Sequence, residues 1–286
     1  MKLKTLGIVA LAALSTLSFT VKSASAATFS KGWSYGIDSF TDGSGGSGYE
    51  IKGIAIKQTG SSVYVALTGG TPLAGVNDSR SLGGTIGWGD LFFNFSGKDF
   101  KTASNEGSLM GIRFSPTSDS KLSAGVYTGA KATSVATVNS GYSSLESYYN
   151  SGFDRANTQG DDIATKAAAY NYFGKGSILN VIGSGTKAGN INMLTGSQLA
   201  GAGLDFGQFS ANAPQTIGFS FDRSLLQKGN FLANIFLECG NDGVAIAGKN
   251  LAQSVPEASP VLGLGAVALC FGVTQLRKRS TKQVIA

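Results

Sequence analysis

Ser62-Val63-Tyr64-Val65-Ala66-Leu67-Thr68 alternates apolar and polar positions, and Val63, Val65 and Leu67 fall on one face. Tyr49 to Gln58 precedes it with Ile54 and Ile56 on one face, and Thr59-Gly60-Ser61 lies between. Two period-two runs joined by a short turn predict an antiparallel hairpin with one buried face. The same reading extends in both directions. Strands are expected at Trp33–Phe40, Asp90–Ser96, Leu109–Ser115 and Gly125–Val138, then at Ser177–Ile182, Gln215–Phe221, Phe231–Glu238 and Val244–Ala247. Cys239-Gly240-Asn241-Asp242-Gly243 reads as a hairpin turn, because Asp-Gly supplies the positive φ that tight turns need. Gly69–Gly89 is rich in glycine and reads as a long loop. About ten short strands predict an all-β fold: a two-sheet antiparallel β-sandwich, jelly-roll-like.

One stretch breaks the pattern. Residues 142–176 read as an insertion carrying a short helix over Asp161–Tyr170, with Asp161 as its cap and Gly174 as its stop. The domain plan is then a signal peptide at 1–26, a β domain at 27–248, a linker at 249–254 and a terminal tag at 255–286.

The N-terminal segment has Lys2 and Lys4 before an apolar run, Leu6 to Phe19. Ala24-Ser25-Ala26 fits a small-x-small cleavage site, which makes Ala27 the first mature residue. The expected partners there are a secretion translocase and signal peptidase. At the other end, Val255-Pro256-Glu257 precedes an apolar segment, and Arg277-Lys278-Arg279 closes it. As a helix, 260–276 is roughly 25 Å long at about 1.5 Å per residue. A hydrocarbon core is about 30 Å thick, so this is a marginal span. The basic cluster would stay cytoplasmic and leave the β domain outside.

These C-terminal residues resemble the PEP-CTERM sorting signal of exosortase substrates, with Ala258 standing where the third motif residue is usually proline. The resemblance implies a transient inner-membrane hold, recognition near Pro256-Glu257 by an exosortase, and delivery to the cell surface or matrix. The core is also similar to uncharacterised cyanobacterial exosortase-dependent surface proteins, through Gly87-Trp88-Gly89-Asp90-Leu91-Phe92-Phe93-Asn94-Phe95 and Phe236-Leu237-Glu238-Cys239-Gly240-Asn241-Asp242-Gly243. That resemblance implies a location and transfers no catalytic residue. A structural or adhesive role is expected, with extracellular polysaccharide as a partner.

The pI of about 9.2 comes from the tags. Seven of the 23 basic residues lie in them, and residues 27–255 carry sixteen charges of each sign. Net neutrality supplies no field for nucleic acid. The absence of histidine removes Ser-His-Asp and Cys-His catalysis and histidine metal sites.

Other candidate chemistry is sparse. Gly43–Gly48 matches a dinucleotide fingerprint by letter, but a strand, not a helix, follows it. Asp38, Asp42 and Glu50 suggest an irregular calcium site, because EF-hand spacing would place Phe40 and Tyr49 at ligand positions. Glu238 and Asp242 are the carboxylate pair that a hydrolase reading would use. Trp33, Trp88 and the tyrosines at 148, 149, 170 and 172 are the candidates for stacking on sugar in a carbohydrate-binding reading. Cys239, the one cysteine outside the tags, reads as a buried small apolar residue.

Overall fold

A computed structural model of the chain describes residues 28–39, 42, 46–153 and 163–250. Strand accounts for 41% and helix for 19%, so the chain is mostly β, as its periodicity predicts. The first four strands are β1 (Thr28–Ser30), β2 (Trp33–Ile37), β3 (Ile51–Gln58) and β4 (Ser62–Gly69). A small hairpin follows, β5 (Val76–Asn77) and β6 (Thr85–Ile86), inside the stretch expected to be loop. Next come β7 (Leu91–Asn94), β8 (Leu109–Arg113), β9 (Gly125–Thr133) and β10 (Val181–Gly189). The last four described strands are β11 (Ile191–Leu194), β12 (Gln215–Asp222), β13 (Gly229–Phe236) and β14 (Gly243–Asn250).

Two six-stranded antiparallel sheets result. Their orders are β1-β2-β3-β4-β12-β11 and β10-β9-β8-β7-β13-β14. Each is a four-strand meander extended by a later hairpin or strand pair. Consecutive strands stay in one sheet and change sheet only at β4/β7, β10/β11 and β12/β13. A jelly roll, by contrast, alternates between sheets.

The alternating residues meet in one cluster. Ile54, Ile56, Val63, Val65, Leu67, Ile217, Phe219 and Phe221 of the first sheet join Leu91, Phe93, Ala233, Ile235, Val244 and Ile246 of the second. The edge strand β14 packs on β2 and β3. Gly36 is required there, since a Cβ on it would lie 2.6 Å from the Ala245 carbonyl oxygen.

Both outer faces are covered as well. Trp33, Tyr35, Ala55 and Ala66 pack under Leu199 of α4 (Gly196–Gly201) and Phe206. Phe92 and Leu109 pack with Phe100 of α1 (Phe100–Asn105). Phe236 packs with Leu145 and Tyr148 of α2 (Leu145–Tyr148) and Ala169 of α3 (Lys166–Phe173).

Several expected boundaries move. The insertion helix begins at Lys166, where the Ala168 amide donates to Thr165 Oγ1, rather than at Asp161. Asp161 itself lies outside the described residues. Strand β9 stops at Thr133, and Ala136–Asn139 forms a 3-10 turn despite its β-branched composition. Among the described residues no helix is long and apolar enough to cross a membrane. The predicted signal peptide, the span at 260–276 and the sorting residues Val255, Pro256, Glu257, Arg277, Lys278 and Arg279 all lie outside those residues.

Candidate functional site

The turn between β13 and β14 aims Asp242 inward. The Gly240 amide donates to the Leu237 carbonyl and the Leu237 amide donates to the Asp242 carbonyl, which closes the turn. Gly240 has φ +64°, a value glycine accepts without cost. Asp242 Oδ1 accepts the Gly243 amide at 2.7 Å, and Oδ2 accepts the Ile51 amide at 2.5 Å. This single carboxylate therefore ties the turn of one sheet to the start of β3 in the other.

Asp38, just after β2, and Asp42 meet it there. One ligand oxygen from each of Asp38, Asp42 and Asp242 lies within 4.8 Å of the others. Asp38 is buried, Asp42 half-buried and Asp242 buried. Burial pushes the Asp242 carboxyl well above its ordinary range, and the charges of Asp42 and Glu50 add to the rise, while the Ile51 amide opposes it. The three acids line a cavity of about 70 Å³ together with Tyr148, Phe173 and Phe236. Burial first, then the charges of Asp42, Asp242 and Asp38, raise the Tyr148 hydroxyl, which places that ring beside the cluster.

Carboxylates this close repel unless a proton or a cation lies among them. The cluster can hold a hard cation through oxygen ligands. It has no histidine or thiolate to favour a transition metal. Of the predicted calcium ligands, Asp38 and Asp42 are brought together and Glu50 acts on the cluster through its charge. Asp242 was not expected in it, because no sequence spacing relates position 242 to position 38.

The other candidates separate. Glu238 Oε2 accepts the Gly87 amide at 2.8 Å and Oε1 accepts the Asp119 amide at 2.6 Å. Glu238 and Asp242 thus brace different backbone segments. Trp33 and Trp88 are both fully buried, with their indole N–H groups donating to the Ala202 and Thr71 carbonyls. Neither presents a face on which a sugar could stack, so sugar contact through these rings is excluded by burial. Cys239 is buried as expected, and burial pushes its thiol up to about 12, so it is not a nucleophile at neutral pH.

Two further carboxylates carry structural work that the sequence did not signal. Asp90 accepts the Ile182 amide at 2.7 Å and the Ser118 hydroxyl at 3.0 Å while fully buried. Asp78 takes a two-point contact from Arg80, at 2.9 and 2.6 Å. No family model matches the chain, and neither a curated protein nor a solved structure does.

Proposed function

We propose that the chain is an exported, non-catalytic envelope or matrix protein: a two-sheet β-sandwich that an exosortase processes and the cell then displays or releases. The observation that carries this is the order of segments. Among the described residues, strands run from Thr28, next to the expected cleavage site after Ala26, to Asn250, five residues before Val255. The described β strands lie between the two expected processing sites. The disposition of the buried acids supports a non-catalytic role. Asp90, Glu238 and Asp242 each accept backbone amides, as structural braces do.

Changing Pro256 and Glu257 together to alanine tests the sorting half. The uncut precursor is expected to accumulate in the membrane fraction, and the released or surface-exposed form to fall to a minor species. Unchanged processing and release would overturn the proposal.

A second reading concerns calcium, and the convergence of Asp38, Asp42 and Asp242 supports it. A cation there would cross-brace the two sheets at the site where Asp242 already bridges them. Calcium at about 100-fold over its Kd should stabilise the fold by about 2.7 kcal/mol. For a domain of this size that is about 2–4 °C in Tm per kcal/mol. Thermal melts with and without calcium, on the full chain and on Asp242→Asn, measure it. A melt unmoved by millimolar calcium would remove the metal.

A further inference from the structure

Phe29 faces the inside of the sandwich and is not covered. It pairs with Ser34 of β2, and Ser34 pairs with Ile56 of β3. Residues directly opposite on antiparallel strands share a face. Ile56 lies in the cluster between the sheets at 4% exposure, so Phe29 is on that same inner face. Phe29 is nevertheless 71% exposed. The reason is the reach of the second sheet. Its edge strand β14 packs on β2 and β3, and β1 lies one strand beyond them. The uncovered strip is a groove of about 330 Å³ beside the end of β14. Phe29, Ile56, Phe231 and Ile246 give it apolar walls, and Arg223 and Lys249 line it as cations. No acid is among its described lining residues.

The chain leaves the described fold at this groove. Lys249 lines it, and Asn250 is pinned at its end. Asn250 Nδ2 donates to the Leu226 and Gln227 carbonyls at 2.8 and 2.9 Å, and its Oδ1 accepts from Arg223 Nη2 at 3.2 Å. The residues that follow are Leu251-Ala252-Gln253-Ser254-Val255-Pro256-Glu257-Ala258. They carry two branched aliphatic side chains, one acid and no cation. At about 3.3 Å per residue, Val255 reaches up to roughly 17 Å from Asn250, enough to turn back along the groove.

We propose that residues 251–258 of this chain seat in the groove, with Leu251 and Val255 covering Phe29 and Glu257 set towards Arg223 and Lys249. Apolar side chains then meet the uncovered apolar wall, and the one acid of the segment meets the two cations. A second copy of the chain fits less well. Presenting the same surface, it would bring another Arg223 and Lys249 to a groove that already holds both. The inference stands apart from the sorting reading. Where sorting proceeds as proposed, the seated segment keeps Pro256-Glu257 against the domain until it is drawn out.

Disulfide trapping in the purified, uncut full chain tests this. Cys270→Ser removes the second cysteine, and Cys239 is buried. Ser34→Cys in the groove is combined with Val255→Cys. The comparison pair is Val255→Cys with Ser184→Cys, which lies on β10 at the far edge of the second sheet. Under a mild oxidant in dilute solution, the Ser34 pair should close within one chain, and the Ser184 pair ~10-fold more slowly or less. Phe29→Asp removes the apolar contact and sets a like charge before Glu257. It should slow closure of the Ser34 pair ~10-fold or more, the scale of one lost buried aromatic contact. Phe29 is exposed in the described fold, so the circular dichroism of this variant should match the parent's. Glu257→Lys should slow closure as well, and adding Lys249→Glu should restore part of the rate. The proposal is overturned if the two pairs close at equal rates, or if Phe29→Asp closes as fast as the parent. It is also overturned if only disulfide-linked dimers form, which would put a second copy in the groove. Release from cells is read separately, by the Pro256 and Glu257 variant, so failure to seat and failure to sort are distinguishable.

Discussion

Replacing Trp88 by alanine is expected to destabilise the protein by about 3–5 kcal/mol, the range for removing a large buried aromatic side chain. The indole is fully buried, packs 6.4 Å from the Phe114 ring, and donates to the Thr71 carbonyl at 2.9 Å. Its backbone bridges to Leu237, so it lies where the two named sequence motifs of the core meet. Alanine would leave a large void and an unpaired carbonyl. A domain holds only about 5–15 kcal/mol in total, so the variant should unfold at far lower urea. Trp88→Phe retains much of the apolar volume and should lose less. Urea unfolding followed by circular dichroism decides it. A Trp88→Ala midpoint equal to the parent's would contradict the buried placement and reopen a surface role for the ring.

Stability should fall as pH rises from about 4 to about 7. Burial raises Asp90 from 3.8 to about 7, against the opposing Ile182 amide, Ser118 and Arg113. Burial likewise raises Glu238 from 4.5 to about 7, against the Asp119 and Gly87 amides, with the charges of Asp119 and Asp90 adding to the rise. Each acid holds its proton more tightly folded than unfolded. Its contribution is complete below the unfolded value and lost as pH passes through the folded one. At about 1.4 kcal/mol per pKa unit, the loss is on the order of 3–5 kcal/mol for each, and Asp242 shifts in the same direction. The acid side has the opposite sign. Asp78 is held down to about 2 by Arg80, so its contribution fades as pH falls from 3.8 towards 2. Maximum stability is therefore expected near pH 4. Urea midpoints at about pH 4, 5.5 and 7.5 measure the slope, and Glu238→Gln should flatten it. Midpoints that climb with pH over this window would refute the assignment.

The strands were legible because side-chain alternation is a local property. Ile54, Ile56, Val63, Val65 and Leu67 predicted their shared face and occupy it, as do Ile217, Phe219 and Phe221. The hairpin turn at Asp242-Gly243 was legible for the same reason, since a turn needs only its own few residues. The insertion helix was legible in kind and misplaced at its start, where Thr165 rather than Asp161 provides the described cap. The 3-10 turn at Ala136–Asn139 defeated the β propensity of its residues. There the Gly141 amide donates to the Ala136 carbonyl and Asn139 Nδ2 donates to Asp119 Oδ2, a longer-range contact.

The candidate site was half legible. Asp38 and Asp42 lie four residues apart and suggest a cation together, but Asp242 joins them only because β14 packs on β2 and β3. The tryptophans misled for a related reason. A sequence cannot say which aromatic residues the covering helices and loops will bury.

The sequence by itself determined the mostly β character, the period-two core faces and the lack of histidine chemistry. Each of these is local or compositional. Only the tertiary structure decided the two-sheet pairing, the meeting of Asp242 with Asp38 and Asp42, and which charges are buried. Residues 27–255, with sixteen charges of each sign, carry no net charge in their composition. Among the described residues, folding places five carboxylates inside, where hydrogen bonds can satisfy them, and leaves every lysine at least partly in water.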